Sequence, residues 1–262
     1  MTGPLAGVGV LITRPARQSA TFAQRLAVLG GDPFIFPAMI IAPPVDETPV
    51  ADALQRLREF DYALFVSANA AEAVVTRDPV WPQGLVAIAV GPTTADALIS
   101  GGIDNVLVPA ERYDSEGVLA LPQLQHVAGK RFLIFRGDAA GGQSGRELMR
   151  TTLEQRGAHV EVLACYRRLR PSIDPSAVLD AWKQGRIDAV IATSAEVLDN
   201  FIDLIGADGK TLLSQTPLFV PHRRIAAHAQ GYGLSDIVIT EATDAGLLAG
   251  LLQHFSHRQD QT

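Results

Sequence analysis

Residues 132–168, FLIFRGDAAGGQSGRELMRTTLEQRGAHVEVLACYRR, constrain the fold more than any other stretch. They read as strand, Gly-rich loop, helix, turn and strand. Residues 132–135 form a short apolar run flanked by Arg131 and Arg136, the pattern of a strand buried on both faces. Ser144 with Glu147 three positions on makes a capping box, each side chain satisfying a backbone N–H at the helix start. Leu148 and Leu153 supply an apolar side, Gly157 ends the helix where φ turns positive, and residues 160–163 form the next strand. The N-terminus repeats this order. Residues 8–12 are a strand, Thr13-Arg14-Pro15 follows, and Phe22, Leu26 and Leu29 lie at helical spacing before Gly30-Gly31 and a strand at 33–36. Arg14 and Arg136 each follow their strand directly. Such a repeat predicts duplicated architecture, and strands alternating with helices predict parallel sheets covered on both faces.

The rest of the chain keeps the alternation. Residues 62–66 form a strand ending in Ser67-Ala68-Asn69, with Asn69 and Glu72 as a capping pair. Residues 85–90 form another, ending in Gly91-Pro92-Thr93-Thr94, and Ser115-Glu116-Gly117 opens a helix. Beyond Pro171, residues 187–192 form a strand ending in Thr193-Ser194, with Thr193 and Glu196 as a capping box. Residues 218–220 end in Pro221-His222-Arg223-Arg224, and Asp244-Ala245-Gly246 opens the last helix. FDYALFVSANAAEAV resembles IDAVIATSAEVLDNF, a second internal match. Two extended segments bounded by Pro37, Pro43, Pro44 and Pro171 interrupt the pattern, because residues before proline are pushed out of the helical region. The economical arrangement is α/β: two doubly wound, flavodoxin-like parallel-sheet domains joined by a two-stranded linker. One domain is discontinuous, 1–36 plus 172–262; 44–163 is inserted; 37–43 and 164–171 are the linker strands.

Composition narrows the function. Of 262 residues 47% are hydrophobic, enough for substantial cores, and the net charge is −6, which argues against nucleic acid or an anionic membrane surface as partner. The single cysteine excludes an internal disulfide, and no metal-ligand spacing accompanies it. The first residues lack a basic n-region and no apolar run approaches the ~20 residues that span a bilayer. A cytoplasmic monomer without metal or cofactor is expected.

In an open parallel sheet the ligand site lies beyond the carboxyl ends of the strands, where this chain has Arg14, Ser67 to Asn69, Gly91 with Thr93 and Thr94, Ser115, Arg136 with Gly137, Thr193 with Ser194, and His222 with Arg223. Asn69 and Thr193 read first as helix caps, although a free helix N-terminus also binds anions. Arg14 and Arg136 divide evenly between ligand binding and surface solvation. Arginines opening the helix after His222 oppose the helix dipole, which favours an anionic ligand. The glycines at 137–145 fit neither the phosphate-binding P-loop nor the dinucleotide fingerprint. Cys165 reads as a small hydrophobe, and Tyr166 as a packed ring with a wet hydroxyl.

The ordered set of motifs carries more than any one of them. LITRP, FVSANAAEAV, AVGPTTADAL, Ser115-Glu116-Gly117-Val118-Leu119, FRGD with Arg146, VLACYRR and IATSAEVL together resemble the uroporphyrinogen-III synthase family across nearly the whole chain. The loop Pro221-His222-Arg223-Arg224 departs from the Gly-x-x-Thr form of the first half. The resemblance implies two doubly wound domains. It implies conversion of the linear tetrapyrrole hydroxymethylbilane into uroporphyrinogen III, on the way to haem, sirohaem or cobalamin, with no metal or organic cofactor. Water leaves ring A to give an azafulvene, and a spiro intermediate inverts ring D. The resemblance makes Tyr166 the expected proton donor. Substrate contacts are expected from Arg14, Ser67, Asn69, Gly91, Thr93, Thr94, Ser115, Arg136, Gly137, Arg146, Thr193, Ser194, His222 and Arg223. The eight carboxylates of such a substrate suit backbone N–H groups, hydroxyls and arginines. Two-lobed solute-binding and sensor modules share the architecture and form the alternative, which turnover of hydroxymethylbilane separates at once.

Overall fold

The computed structural model describes residues 3–138 and 144–259; the side chains of 144–146 and 257–259 lie outside the description. The chain forms two compact units, one from residues up to Ile40 together with those from Leu169 onward, the other Ile41–Arg168.

The first unit begins with β1 (Gly9–Ile12), α1 (Ala16–Val28) and β2 (Asp32–Ile35). The chain then builds the second unit from β3 (Ile40–Ala42), α2 (Thr48–Gln55), β4 (Tyr62–Phe65), α3 (Ala68–Val75), β5 (Val86–Ala89), α4 (Pro92–Ser100), β6 (Val106–Leu107), α5 (Ser115–Leu119), β7 (Arg131–Gly137), α6 (Ser144–Gln155) and β8 (His159–Leu169). It returns to the first with α7 (Ser176–Lys183), β9 (Ala189–Ile191), α8 (Ala195–Leu213), β10 (Leu218–Val220), α9 (Arg223–Gly231), β11 (Ile237–Ile239) and α10 (Asp244–Gln259).

The first unit has a sheet in the order β11-β10-β9-β1-β2 whose pairs are all parallel. Both faces of β1 are buried, which explains its unbroken apolar run. On one face Phe22 and Leu26 of α1 and Leu247, Leu251 and Phe255 of α10 pack on Val10, Ile12, Ile191 and Phe219. Elsewhere in the unit Trp182 stacks near Phe201, with centroids 6.3 Å apart, and its indole N–H donates to Thr216 Oγ1 at 3.0 Å.

The second unit has a sheet in the order β3-β8-β7-β4-β5-β6, with β8 to β6 parallel. Phe65 and Phe135 stack at 4.9 Å within one apolar layer, while Leu64, Phe132 and Ile134 face another with Val118, Met149 and Leu153. The strand expected at 160–163 is longer here: β8 runs without a break from His159 to Leu169. β8 also neighbours the short β3, so the pairing of extended backbone continues past the apolar run. The loops after β1, β9, β10 and β11 in the first unit, and after β4, β5, β6 and β7 in the second, therefore emerge at the carboxyl edge of their sheet, where ligand sites form.

Candidate functional site

In the second unit the carboxyl edge brings together Ser67, Gly137 and Tyr166. Ser67 leaves β4 with extended backbone and caps α3, its Oγ accepting from the Ala70 N–H at 3.2 Å. The cap is thus Ser67 rather than the expected Asn69. A capping residue must still have non-helical φ and ψ, and Asn69 already lies inside the helix, where it is not without an interaction partner. Ser67 Oγ also lies 3.1 Å from the Tyr166 hydroxyl, and either can donate. Tyr166 is only 2% exposed. It sits on β8 at a β-bulge: Arg136 pairs with Ala164, the next residue Gly137 pairs with Tyr166, and Asp138 N–H donates to Tyr166 C=O at 2.7 Å. A bulge re-aims a side chain, and here the phenol ring lies on Gly137. A Cβ at position 137 would fall 2.6 Å from Tyr166 Cζ and 2.9 Å from its oxygen. Gly137 therefore serves the site by having no side chain, not as an element of a phosphate loop.

Arg136, half-buried, has a buried Nε without a hydrogen-bond partner. Its carbonyl accepts from the Cys165 thiol at 3.3 Å. Burial pushes that thiol up to about 12, so Cys165 is an un-ionised core group at neutral pH. Further along the edge, Gly91 caps α4 with no side chain, Thr93 is exposed and Thr94 is buried. Ser115, half-buried, is the first residue of α5, and the residue that caps this helix is Asp114, which accepts from Gly117 N–H at 2.8 Å. Tyr113, which no sequence motif singles out, stands beside Gly91 and is 56% exposed. Arg146 lies in the first turn of α6 with its side chain outside the described residues, as does the Ser144 half of the expected capping box. Glu147 pairs with Arg150.

In the first unit Arg14 is not a solvated surface residue. It is 7% exposed, its Nη1 donates to Asp244 Oδ1 at 2.6 Å, and its guanidinium lies 4.8 Å from the Phe22 ring centroid. The pair ties the β1–α1 loop to the start of α10. Arg14 Nε and Nη2 are buried without hydrogen-bond partners, two donors for which an acceptor is energetically favourable. Ser194, not Thr193, caps α8, accepting from Val197 N–H at 3.1 Å; Thr193 stands half-buried just before it. His222 caps α9 through Nδ1, which accepts from Arg224 N–H at 3.0 Å, and Arg223 and Arg224 are exposed at the first turn.

A groove of about 430 Å³ lies elsewhere, lined by Phe60, Arg131 and His159 among others, at the amino ends of β7 and β8. Two of its lining charges are paired, Arg131 with Glu59 at 3.1 Å and Glu161 with Arg56 at 3.1 Å. Among the described residues no group of three or more His, Cys, Asp or Glu is placed to hold a metal ion, and no helix is long and apolar enough to cross a membrane.

Comparison with known proteins follows the same lines. A family model described as uroporphyrinogen-III synthase HemD matches residues 20–249. The uroporphyrinogen-III synthase of Escherichia coli K12 is 33% identical over 251 residues, covering 94% of this chain and 100% of that protein. Among solved structures, a mutant uroporphyrinogen III synthase from the extreme thermophile Thermus thermophilus has a TM-score of 0.57 at 19% identity, covering 96% of this chain and 99% of its own. The uroporphyrinogen-III synthetase of Helicobacter pylori 26695 has a TM-score of 0.59 at 14% identity, covering 94% and 99%. Those two likenesses concern the fold.

Proposed function

The chain belongs to the uroporphyrinogen-III synthase family, a lyase family of porphyrin biosynthesis, and on that premise we propose that it closes hydroxymethylbilane to uroporphyrinogen III through the Tyr166–Ser67 hydroxyl pair. The observation that carries the reading is the 3.1 Å contact between these two oxygens at the carboxyl edge of the second sheet. The leaving group is a hydroxyl on the carbon attached to ring A, and it departs as water once it receives a proton. Tyr166 is nearly inaccessible and Ser67 is half-buried, so Ser67 is the member a substrate can reach. Ser67 gives its proton to the departing hydroxyl as Tyr166 gives its own to Ser67. The Ala70 N–H, already donated to Ser67 Oγ, keeps that oxygen oriented during the exchange.

The azafulvene left behind is electrophilic at the former hydroxymethyl carbon. Ring D attacks through its substituted carbon, the spiro intermediate breaks, and the ring recloses inverted. The ring-D proton lost at aromatisation returns to the phenolate, so the enzyme ends as it began. Spontaneous closure gives the uninverted isomer, and the protein's contribution is chiefly orientation. Each unit has candidate anion contacts of its own: Arg136 and the N-terminus of α4 in the second unit, and Arg14, Ser194 and Arg223 in the first. Charge-assisted bonds of this kind contribute about 1.5–3 kcal/mol each.

The test is direct. Purified protein is supplied with hydroxymethylbilane, the product is oxidised, and the I and III isomers are separated. Predominantly isomer III is expected; an isomer ratio equal to that of spontaneous closure refutes the proposal.

A further inference from the structure

The loop between β6 and α5 ends in a tightly built turn. Arg112 Nη2 and Nε donate to Asp114 Oδ2 at 2.7 and 3.2 Å, and Asp114 Oδ1 accepts from Gly117 N–H at 2.8 Å. Gly117 lets the turn close: a Cβ there would fall 1.9 Å from the Arg112 carbonyl oxygen. At the tip of this turn stands Tyr113, 56% exposed. One side of the side chain nonetheless lies close to Gly91. A Cβ added to Gly91 would lie 3.1 Å from Tyr113 Cβ and 3.4 Å from Cγ. Gly91 has φ −166°, extended backbone that any residue adopts, so its conformation does not call for glycine. What the missing side chain provides is room for Tyr113 to lie on the backbone that opens α4.

Tyr113 lies outside the buried core of the unit. A rigid, neutral aromatic presented to solvent costs little conformational entropy when it meets a ligand. It stands over the N-terminus of a nine-residue helix, where the backbone favours negative charge. An aromatic face beside an anion-favouring helix end suits a flat, electron-rich ring carrying carboxylate arms. We propose that Tyr113 is a substrate-contacting residue whose exposed face takes one pyrrole ring of the tetrapyrrole by stacking, with that ring's carboxylates directed to the first turn of α4. This rests on the function proposed above.

The experiment is steady-state kinetics with hydroxymethylbilane on the whole protein and three variants. Tyr113→Ala is expected to raise KM about tenfold, the size of a lost aromatic stack, with kcat within about twofold. Tyr113→Phe keeps the face and is expected to hold KM within about twofold of the unaltered protein. Tyr113→Leu keeps an apolar side chain on Gly91 without the aromatic face; it should behave like the alanine variant, and it decides the question if that variant is unstable. A KM within about twofold for both Tyr113→Ala and Tyr113→Leu overturns the proposal. So does a phenylalanine variant as impaired as alanine, because the hydroxyl and not the face would then be the contact. The isomer ratio of the unaltered protein is read in the same assay: failure there removes the proposed function, whereas an active protein indifferent to position 113 removes only this inference.

Discussion

Ser67 is predicted to be energetically coupled to Tyr166, and a double-mutant cycle measures the coupling. In the native protein Ser67 Oγ has two partners, the Ala70 N–H at 3.2 Å and the Tyr166 hydroxyl at 3.1 Å. Ser67→Ala removes the cap of α3, worth about 1 kcal/mol. It also strands a phenol that is 2% exposed, and an unsatisfied buried hydroxyl costs about 1–3 kcal/mol. The single substitution should therefore destabilise the second unit by about 2–4 kcal/mol. In a Tyr166→Phe background no phenol is left to strand, and Ser67→Ala should cost the cap alone, about 1 kcal/mol. The difference, about 1–3 kcal/mol, is the coupling energy. The chain has two tryptophans, and Trp81 lies near Phe65 at a ring-centroid distance of 6.2 Å. A Trp182→Phe background leaves Trp81 as a fluorescence probe of the second unit, so urea unfolding of that unit can be followed alone. Additive costs, with coupling below about 0.3–0.5 kcal/mol, would refute the argument that the two hydroxyls share one bond. Turnover supplies a second reading. Tyr166→Phe should lower kcat by about 10²–10⁴-fold, and adding Ser67→Ala should lower it little further, because groups acting in series are lost together.

Gly137→Ala should remove most activity with a smaller effect on stability, since its Cβ would fall 2.6 Å from Tyr166 Cζ and the ring must leave Ser67; kcat near that of the unaltered protein would contradict the packing described. Cys165 should resist iodoacetamide at mildly alkaline pH in the native protein and react promptly in denaturant, because desolvation raises its pKa from 9.0 to about 12; alkylation at equal rates would place the thiol at the surface. The bond from Gly117 N–H lowers the Asp114 pKa below its ordinary 3.8, with Arg112 acting the same way. A depressed carboxylate stabilises the fold above its unfolded pKa and loses that contribution as pH falls through the folded value. The Gly117 amide resonance should accordingly titrate with a midpoint under 3.8, and a midpoint at or above 3.8 would show that the cap is not formed.

The alternation of strand and helix was legible because the inner strands of both sheets are parallel and buried on both faces, so apolar runs such as 132–135 stand out from amphipathic helices. Helix starts were less legible. Asn69 with Glu72 and Thr193 with Glu196 satisfy the capping-box spacing, yet the residues that cap are Ser67 and Ser194. These hold extended φ values of −168° and −153°, and spacing alone does not say where the chain stops being extended. Arg14 looked evenly divided between binding and solvation because the residue that explains it, Asp244, lies 230 positions away. Local sequence has no signal for such a pairing, nor for the 99 positions that separate Ser67 from Tyr166.

Gly137 shows how a site residue hides in a glycine-rich loop. Among the glycines at 137–145, which fit neither phosphate-binding pattern, it reads as one more loop glycine. The register of the sheet assigns it differently: the bulge between Arg136 and Gly137 pairs Gly137 with Tyr166, and the phenol ring occupies the space a side chain would fill. Gly91 is a milder case with Tyr113: its backbone is extended, and an added Cβ would meet the Tyr113 Cβ at 3.1 Å and the ring only at 3.4 Å. In both places the glycine marks an aromatic residue many positions away. At the carboxyl edge of a parallel sheet, such a pairing places an aromatic ring where open α/β sheets in general bind ligands. Glycines after strands are therefore informative in this chain chiefly through what lies on them, and Tyr113 and Tyr166 are the rings they point to.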